Sequence, residues 1–150
     1  MVFGRTTMNI GFYVDSVAAT PQNGIIFEVL NEAVENNDVT DASLFYNDID
    51  YNPIKPQFGM FNSTDLWSFT GLLIATSLDN VIKAARVVNK FKLIYLYNKE
   101  EKNLLMLLDS INLAPIVTAD ENDAKEVYRL TGRKPTLLPS LSIKKILEVL

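Results

Sequence analysis

Neither cysteine nor histidine occurs among the 150 residues. Without thiols there is no disulfide framework, no thiolate nucleophile and no Cys-ligated metal. Without imidazole the commonest metal ligand and general base are missing, which excludes His-dependent triads and zinc sites of the usual kinds. No glycine falls in Asp15-Ser16-Val17-Ala18-Ala19-Thr20-Pro21, so no G-x-G-x-x-G or G-x-x-x-x-G-K-[ST] phosphate cradle follows the first apolar segment. A phosphoacceptor receiver would want paired acids there, and Asp15 stands alone. The longest apolar runs, Leu72 to Ala75 and Leu104 to Leu108, fall far short of the roughly 18 residues of a membrane span. The segment Met1 to Thr7 carries no signal-like apolar core, and the expectation is a soluble, cytoplasmic chain with no membrane span. The 14 Lys and Arg are scattered and outnumbered by 18 Asp and Glu, for a net charge of −4. A nucleic-acid surface needs clustered cations, so none is expected.

What remains for chemistry is carboxylates, lysine, tyrosine, hydroxyls and amides. The 48% apolar content supplies a core for a chain that buries roughly 68–70% of its unfolded surface, and the length suits one domain over residues 1–150.

Periodicity divides that domain into alternating strands and helices. Met8 to Val14 reads as a buried strand that stops at Asp15-Ser16. Thr20-Pro21 sets an N-cap hydroxyl before a proline at the first helical position, and Ile25, Ile26, Val29, Leu30, Ala33 and Val34 follow at helical spacing until Asn36-Asn37-Asp38. Further strands are expected at 42–46, 58–61, 72–75, 91–97, 115–117 and 135–139. Asp65-Leu66-Trp67 opens about one helical turn; Trp67 beside Phe69 and Phe61 is expected to pack into the core, with an exposed stacking surface for sugar rings or bases as the competing reading. Helices are expected around Val81, Ile82, Ala85 and Val88, around Leu104, Leu105, Leu107, Leu108 and Ile111, and around Ala124, Val127 and Tyr128. Thr118 with Glu121 makes a capping-box pattern for the third of these, and Gly132 closes it. Ile143, Ile146, Leu147 and Leu150 mark a last helix. This order predicts an α/β fold, a three-layer αβα domain with a doubly wound, mostly parallel, Rossmann-like sheet.

In such sheets ligands bind beyond the carboxyl ends of the strands, near the reversal of strand order. The rule selects Asp15, Ser16, Thr76, Ser77, Asn98 and Thr118, with Thr20, Asn47, Asp48, Asn62, Ser63, Asp79, Asp120 and Ser140 around the same rim. Hydroxyls, amides and carboxylates in that arrangement suit a polyhydroxylated ligand, and they equally suit helix capping. Asp15 is the candidate base, beside apolar Val14 and Val17, with a solvated loop acid as the competing reading. Ser77 opens the segment Leu78-Asp79-Asn80 either as a plain N-cap or as part of an anion site.

Leu72 to Ser77 followed by a helix and then Phe91 to Tyr97, and above all Pro115 to Ala124 with Tyr128, Gly132 and Leu137-Leu138-Pro139, resemble the N-terminal half of GT-B nucleotide-sugar glycosyltransferases. In that family this half contacts the acceptor, while the other half holds the nucleotide sugar. The glycine-rich loop found in some members and the histidine used by many are both absent here. The resemblance therefore implies an acceptor- or partner-binding unit without the donor-binding half. It would need no cofactor, and it would pair with a separate donor-binding subunit or as a homo-oligomer, with a carbohydrate or glycoconjugate as acceptor. By position, Asp15, Ser16, Thr76 and Ser77 would face the cleft between the halves. Two other expectations stand beside this one: a non-enzymatic interaction scaffold of Rossmann-like fold, and a carboxylate-dependent hydrolase using Asp15 with Asp48 or Asp79.

Overall fold

The computed structural model describes residues 9–87, 91–101 and 103–138, together with Ile143 and Ile146. The chain forms β1 (Ile10–Ser16), α1 (Pro21–Glu35), β2 (Ala42–Asp48), β3 (Gly59–Asn62) and a 3-10 turn (Ser63–Ser68). It continues through β4 (Gly71–Ala75), α2 (Leu78–Ala85), β5 (Phe91–Leu96), α3 (Leu104–Ser110), β6 (Ile116–Thr118), α4 (Glu121–Thr131) and β7 (Thr136–Leu137). The seven strands make one sheet in the order β3-β2-β1-β4-β5-β6-β7, and every neighbouring pair is parallel. Chain order reverses between β1 and β4, as in a doubly wound Rossmann-like sheet.

Alternate residues of each strand serve opposite layers because the pleat has a period of two. Phe12, Val14, Leu44, Ile74 and Leu96 pack with Ile26, Phe27 and Leu30 of α1 on one face, where Ile143 and Ile146 are also buried. Tyr13, Phe45, Leu73, Ala75 and Tyr95 pack with Val81 of α2, Leu107 of α3 and Val127 of α4 on the other. A sheet covered on both faces explains the near-continuous apolar runs of its central strands.

Local chemistry sets the helix ends. Thr20 caps α1 by accepting the Asn23 N–H at 3.1 Å, with Pro21 at the first helical position. At α4 the capping box expected from Thr118 and Glu121 does not form. Thr118 pairs with Leu137 as the last residue of β6, and Asp120 accepts the Asn122 N–H instead. Gly132 closes α4 in the left-handed conformation, as its position suggested.

Several side chains expected inside lie outside. Trp67 is 69% exposed, Phe61 42% and Leu105 77%, whereas Phe69 and Leu107 are buried. The 3-10 turn is too short to bury two faces, and α3 has two turns with one sheet-facing stripe. Ala85 and Tyr128 are likewise exposed. Val88 and most of the last expected helix lie outside the described residues. Among the described residues no helix is long and apolar enough to cross a membrane.

Gly71 opens β4 at φ +127°, and a Cβ there would run into the carbonyl oxygen of Asn9. That oxygen accepts the Leu72 N–H at 2.9 Å and starts the β1–β4 ladder. Gly132 also has positive φ, +73°, but nothing lies within 4 Å of its added Cβ. Gly71→Ala is therefore expected to cost about 3 kcal/mol and Gly132→Ala about 1 kcal/mol, read as the difference in urea unfolding free energy. Equal losses would contradict the placement of Gly71 against β1.

Candidate functional site

With all strands parallel, their carboxyl ends share one edge, and the β1–β4 reversal opens a gap between the crossovers on that edge. The gap is held by the main-chain carbonyl of Tyr13. It accepts the Thr76 N–H at 3.1 Å, the Thr76 hydroxyl at 3.2 Å and the Asn80 side-chain amide at 3.4 Å. The Tyr13 hydroxyl in turn donates to Asn47 Oδ1 at 2.7 Å, and Asn47 Nδ2 donates to Asn80 Oδ1 at 3.0 Å. A closed polar loop thus ties β1, β2 and α2 together. Burial raises the Tyr13 phenol above its ordinary value, so it stays a neutral donor.

Beside this loop lies a crevice of about 260 Å³. Asp15, Ser16, Thr76, Ser77 and Asn98, all expected from the sequence, line it together with Gln22, Asn23 and Glu101. Thr118, the sixth expected residue, does not: it is 1% exposed at the end of β6, and its hydroxyl has no partner among the described residues. Asn47 serves the polar loop, and Asn62 caps the 3-10 turn by accepting the Thr64 N–H. Asp79 forms an exposed ion pair with Lys83 at 2.9 Å. Ser140 lies outside the described residues.

Several lining groups already have structural work. The Ser16 hydroxyl accepts the Ala18 N–H at 3.1 Å, and Asn23 Nδ2 donates to the Ser16 and Ala18 carbonyls, each at 2.7 Å. Ser77 caps α2 by accepting the Asn80 N–H at 3.2 Å, and its hydroxyl lies 3.4 Å from Asp15 Oδ1. Asn98 Oδ1 accepts the Glu100 N–H at 3.0 Å. Asp15 itself is exposed at the mouth, the geometry of a solvated acid open to a ligand.

Glu101 was not selected from the sequence, yet it has the most partners of the acids in the crevice. Its two carboxylate oxygens accept the Leu78 N–H at 2.9 and 3.0 Å, and Oε1 also accepts the Tyr95 hydroxyl at 2.9 Å. Burial lifts its carboxyl above the ordinary range, and the charges of Asp15 and Asp79 add to that, against the pull of the two hydrogen bonds. Burial likewise pushes the Tyr95 phenol far up, so it remains a donor. The strand-end rule extended to the β5–α3 loop would have found Glu101. Gln22 and Asn23 carried no such signal, because they enter the crevice from the first turn of α1.

Among the described residues no group of acids, histidines or cysteines could hold a metal ion. Among the described residues the crevice lining contains two carboxylates and no lysine or arginine. Groups of these kinds can hydrogen-bond to hydroxyl, amide or amine groups. Comparison of the chain with protein-family models, with curated proteins and with solved structures gives no match.

The raised Glu101 carboxyl has a stability consequence of definite sign. The folded chain holds this proton more tightly than the unfolded chain, so the contribution is fully present below the ordinary value of 4.5 and is lost as pH rises through the raised value. Glu101→Gln cannot ionise and lacks that decline. Urea midpoints measured from about pH 4 to pH 7 should shift in favour of the variant as pH increases. Parallel profiles would show that the carboxylate is not buried against α2.

Proposed function

We propose that the chain binds a hydroxyl-rich ligand, a carbohydrate or glycoconjugate, in the crevice between β1 and β4. It would do so as the acceptor side of a glycosyltransferase-like assembly whose donor side belongs to a partner or a further domain. The observation that carries this reading is the lining itself: carboxylate acceptors at Asp15 and Glu101, hydroxyls at Ser16, Thr76 and Ser77, and amides at Gln22, Asn23 and Asn98. A sugar hydroxyl both donates and accepts, so a wall that mixes these groups can satisfy adjacent hydroxyls where a basic wall would select an anion. In this reading Asp15 accepts from the acceptor hydroxyl and positions it at the open mouth.

A scaffold that docks another protein is the second reading, and a specific observation favours it. Leu104 and Leu105 stand 45% and 77% exposed on α3, and neither lines the crevice. Contiguous apolar surface of this kind marks interfaces when it is extensive.

Titrating the 15N-labelled chain with maltose separates the two. Binding in the crevice should move the amides of Ser16, Thr76, Ser77 and Asn98, and Asp15→Asn should weaken it about threefold to tenfold, the scale of one hydrogen bond. UDP-glucose should leave the chain alone unmoved. Absence of any maltose response in the crevice, with self-association in sedimentation, would favour the scaffold. Tight UDP-glucose binding with turnover would overturn the acceptor-side reading.

A further inference from the structure

The strand-end edge carries a second concavity next to the crevice, of about 640 Å³ against about 260 Å³ for the crevice itself. Sites that enclose a small ligand run to roughly 300–1,000 Å³ and are mostly apolar, with a few polar groups that fix orientation. The crevice alone falls below that range, and the neighbouring cavity lies within it. Among the described residues the cavity is aliphatic where the crevice is polar: Ile25 and Ile26 come from α1, Leu96 and Val117 from β5 and β6, and Leu138 from just after β7. Gln22, Tyr97, Lys99 and Asp123 are the hydrogen-bonding members of the same lining. Ile26, Leu96, Val117 and Leu138 belong to the core on the α1 face. Ile25 is the one residue of the apolar stripe of α1 left exposed, at 52%, and it faces this cavity. The two concavities are continuous. Gln22 lines both, Thr20-Pro21 carries the wall from one to the other on the α1 side, and Asn98-Lys99 does so after β5.

We propose that crevice and cavity form one two-part site, and that its ligand is a glycoconjugate whose aglycone is a hydrocarbon chain, with the hydroxylated head in the crevice and the chain in the cavity. This rests on the crevice reading above and narrows it from carbohydrates in general to amphiphilic ones. A chain seated against Ile25, Leu96 and Val117 removes apolar surface of both partners from water. A sugar extended into the same space would bring hydroxyls to side chains that offer them no partner.

Maltose and octyl maltoside, the latter kept below its micelle concentration, are titrated separately into the 15N-labelled full chain. Both should move the crevice amides of Ser16, Thr76, Ser77 and Asn98. Octyl maltoside alone should also move those of Ile25, Leu96 and Val117, and should bind at least about tenfold more tightly than maltose, the gain from burying two methylene groups. Ile25→Asp, at a side chain already exposed, should bring the ratio of the two affinities close to one. Ala119→Phe, at a second exposed position of the lining, should do the same by filling the cavity, and it serves if the aspartate variant does not fold. Equal affinity for the two ligands with both in the crevice overturns the two-part site and leaves the crevice reading standing. Cavity amides that respond while the crevice amides stay silent to both ligands overturn the crevice reading, and the joined site with it. Octyl maltoside shifts at Leu104 and Leu105 as large as those in the cavity, or a folded variant that keeps the full ratio, would show detergent coating the surface and overturn the assignment.

Discussion

One acceptor, the main-chain carbonyl of Tyr13, holds the edge of the sheet open. Three donors converge on it: the N–H and hydroxyl of Thr76, and the side-chain amide of Asn80. A parallel sheet with a reversal in strand order leaves its two central strand ends without a crossover between them, so the polar groups there must find partners from neighbouring elements. The chain meets that requirement with amides from β2 and α2, and Asn80 is 0% exposed while doing so. A buried network of this kind is stabilising when every member is satisfied and costly when one is not. Its geometry therefore fixes the crevice beside it more firmly than loop contacts alone would.

The same constraint explains the division of labour on the rim. Groups that point back toward the sheet, such as Thr76, Asn47 and Asn80, complete the network and hold the crossovers in register. Asp15, Ser16 and Asn98 lie farther out, with capacity left for a ligand. Glu101 belongs to both sets. It secures the β5–α3 loop to the start of α2, and it sets the electrostatic character of the crevice by placing a carboxylate on that helix end. A hydroxyl-lined crevice with both helix ends capped from within follows from these contacts together.

Much of this was legible in the sequence, and the exceptions have identifiable physical reasons. Strands such as 91–96 and 72–75 announced themselves because burial on both faces selects near-continuous apolar runs, Lys92 being the one interruption in the two. Their alternation with capped helices then implied parallel strands and a shared rim, which brought out Asp15, Ser16, Thr76, Ser77 and Asn98. Thr118 matched a helix-start pattern, but its backbone pairs with β7, and strand pairing took precedence over capping. Glu101 escaped because its role depends on meeting Leu78, 23 residues away in the chain, and no local periodicity encodes that contact. The exposed Trp67 and Leu105 show the converse limit: apolar character marks a helical face, while the number of turns decides how much of that face reaches the sheet.

The account stands on the crevice beside Tyr13 being the place where a hydroxylated ligand binds. Crystals grown with maltose test that most directly. The expected result is sugar density between Asp15 and Ser77, with hydroxyls within hydrogen-bonding distance of Asp15, Ser16 and Asn98 and with Glu101 still on the Leu78 amide. Maltose bound elsewhere on the surface, with the crevice free of sugar, would contradict it.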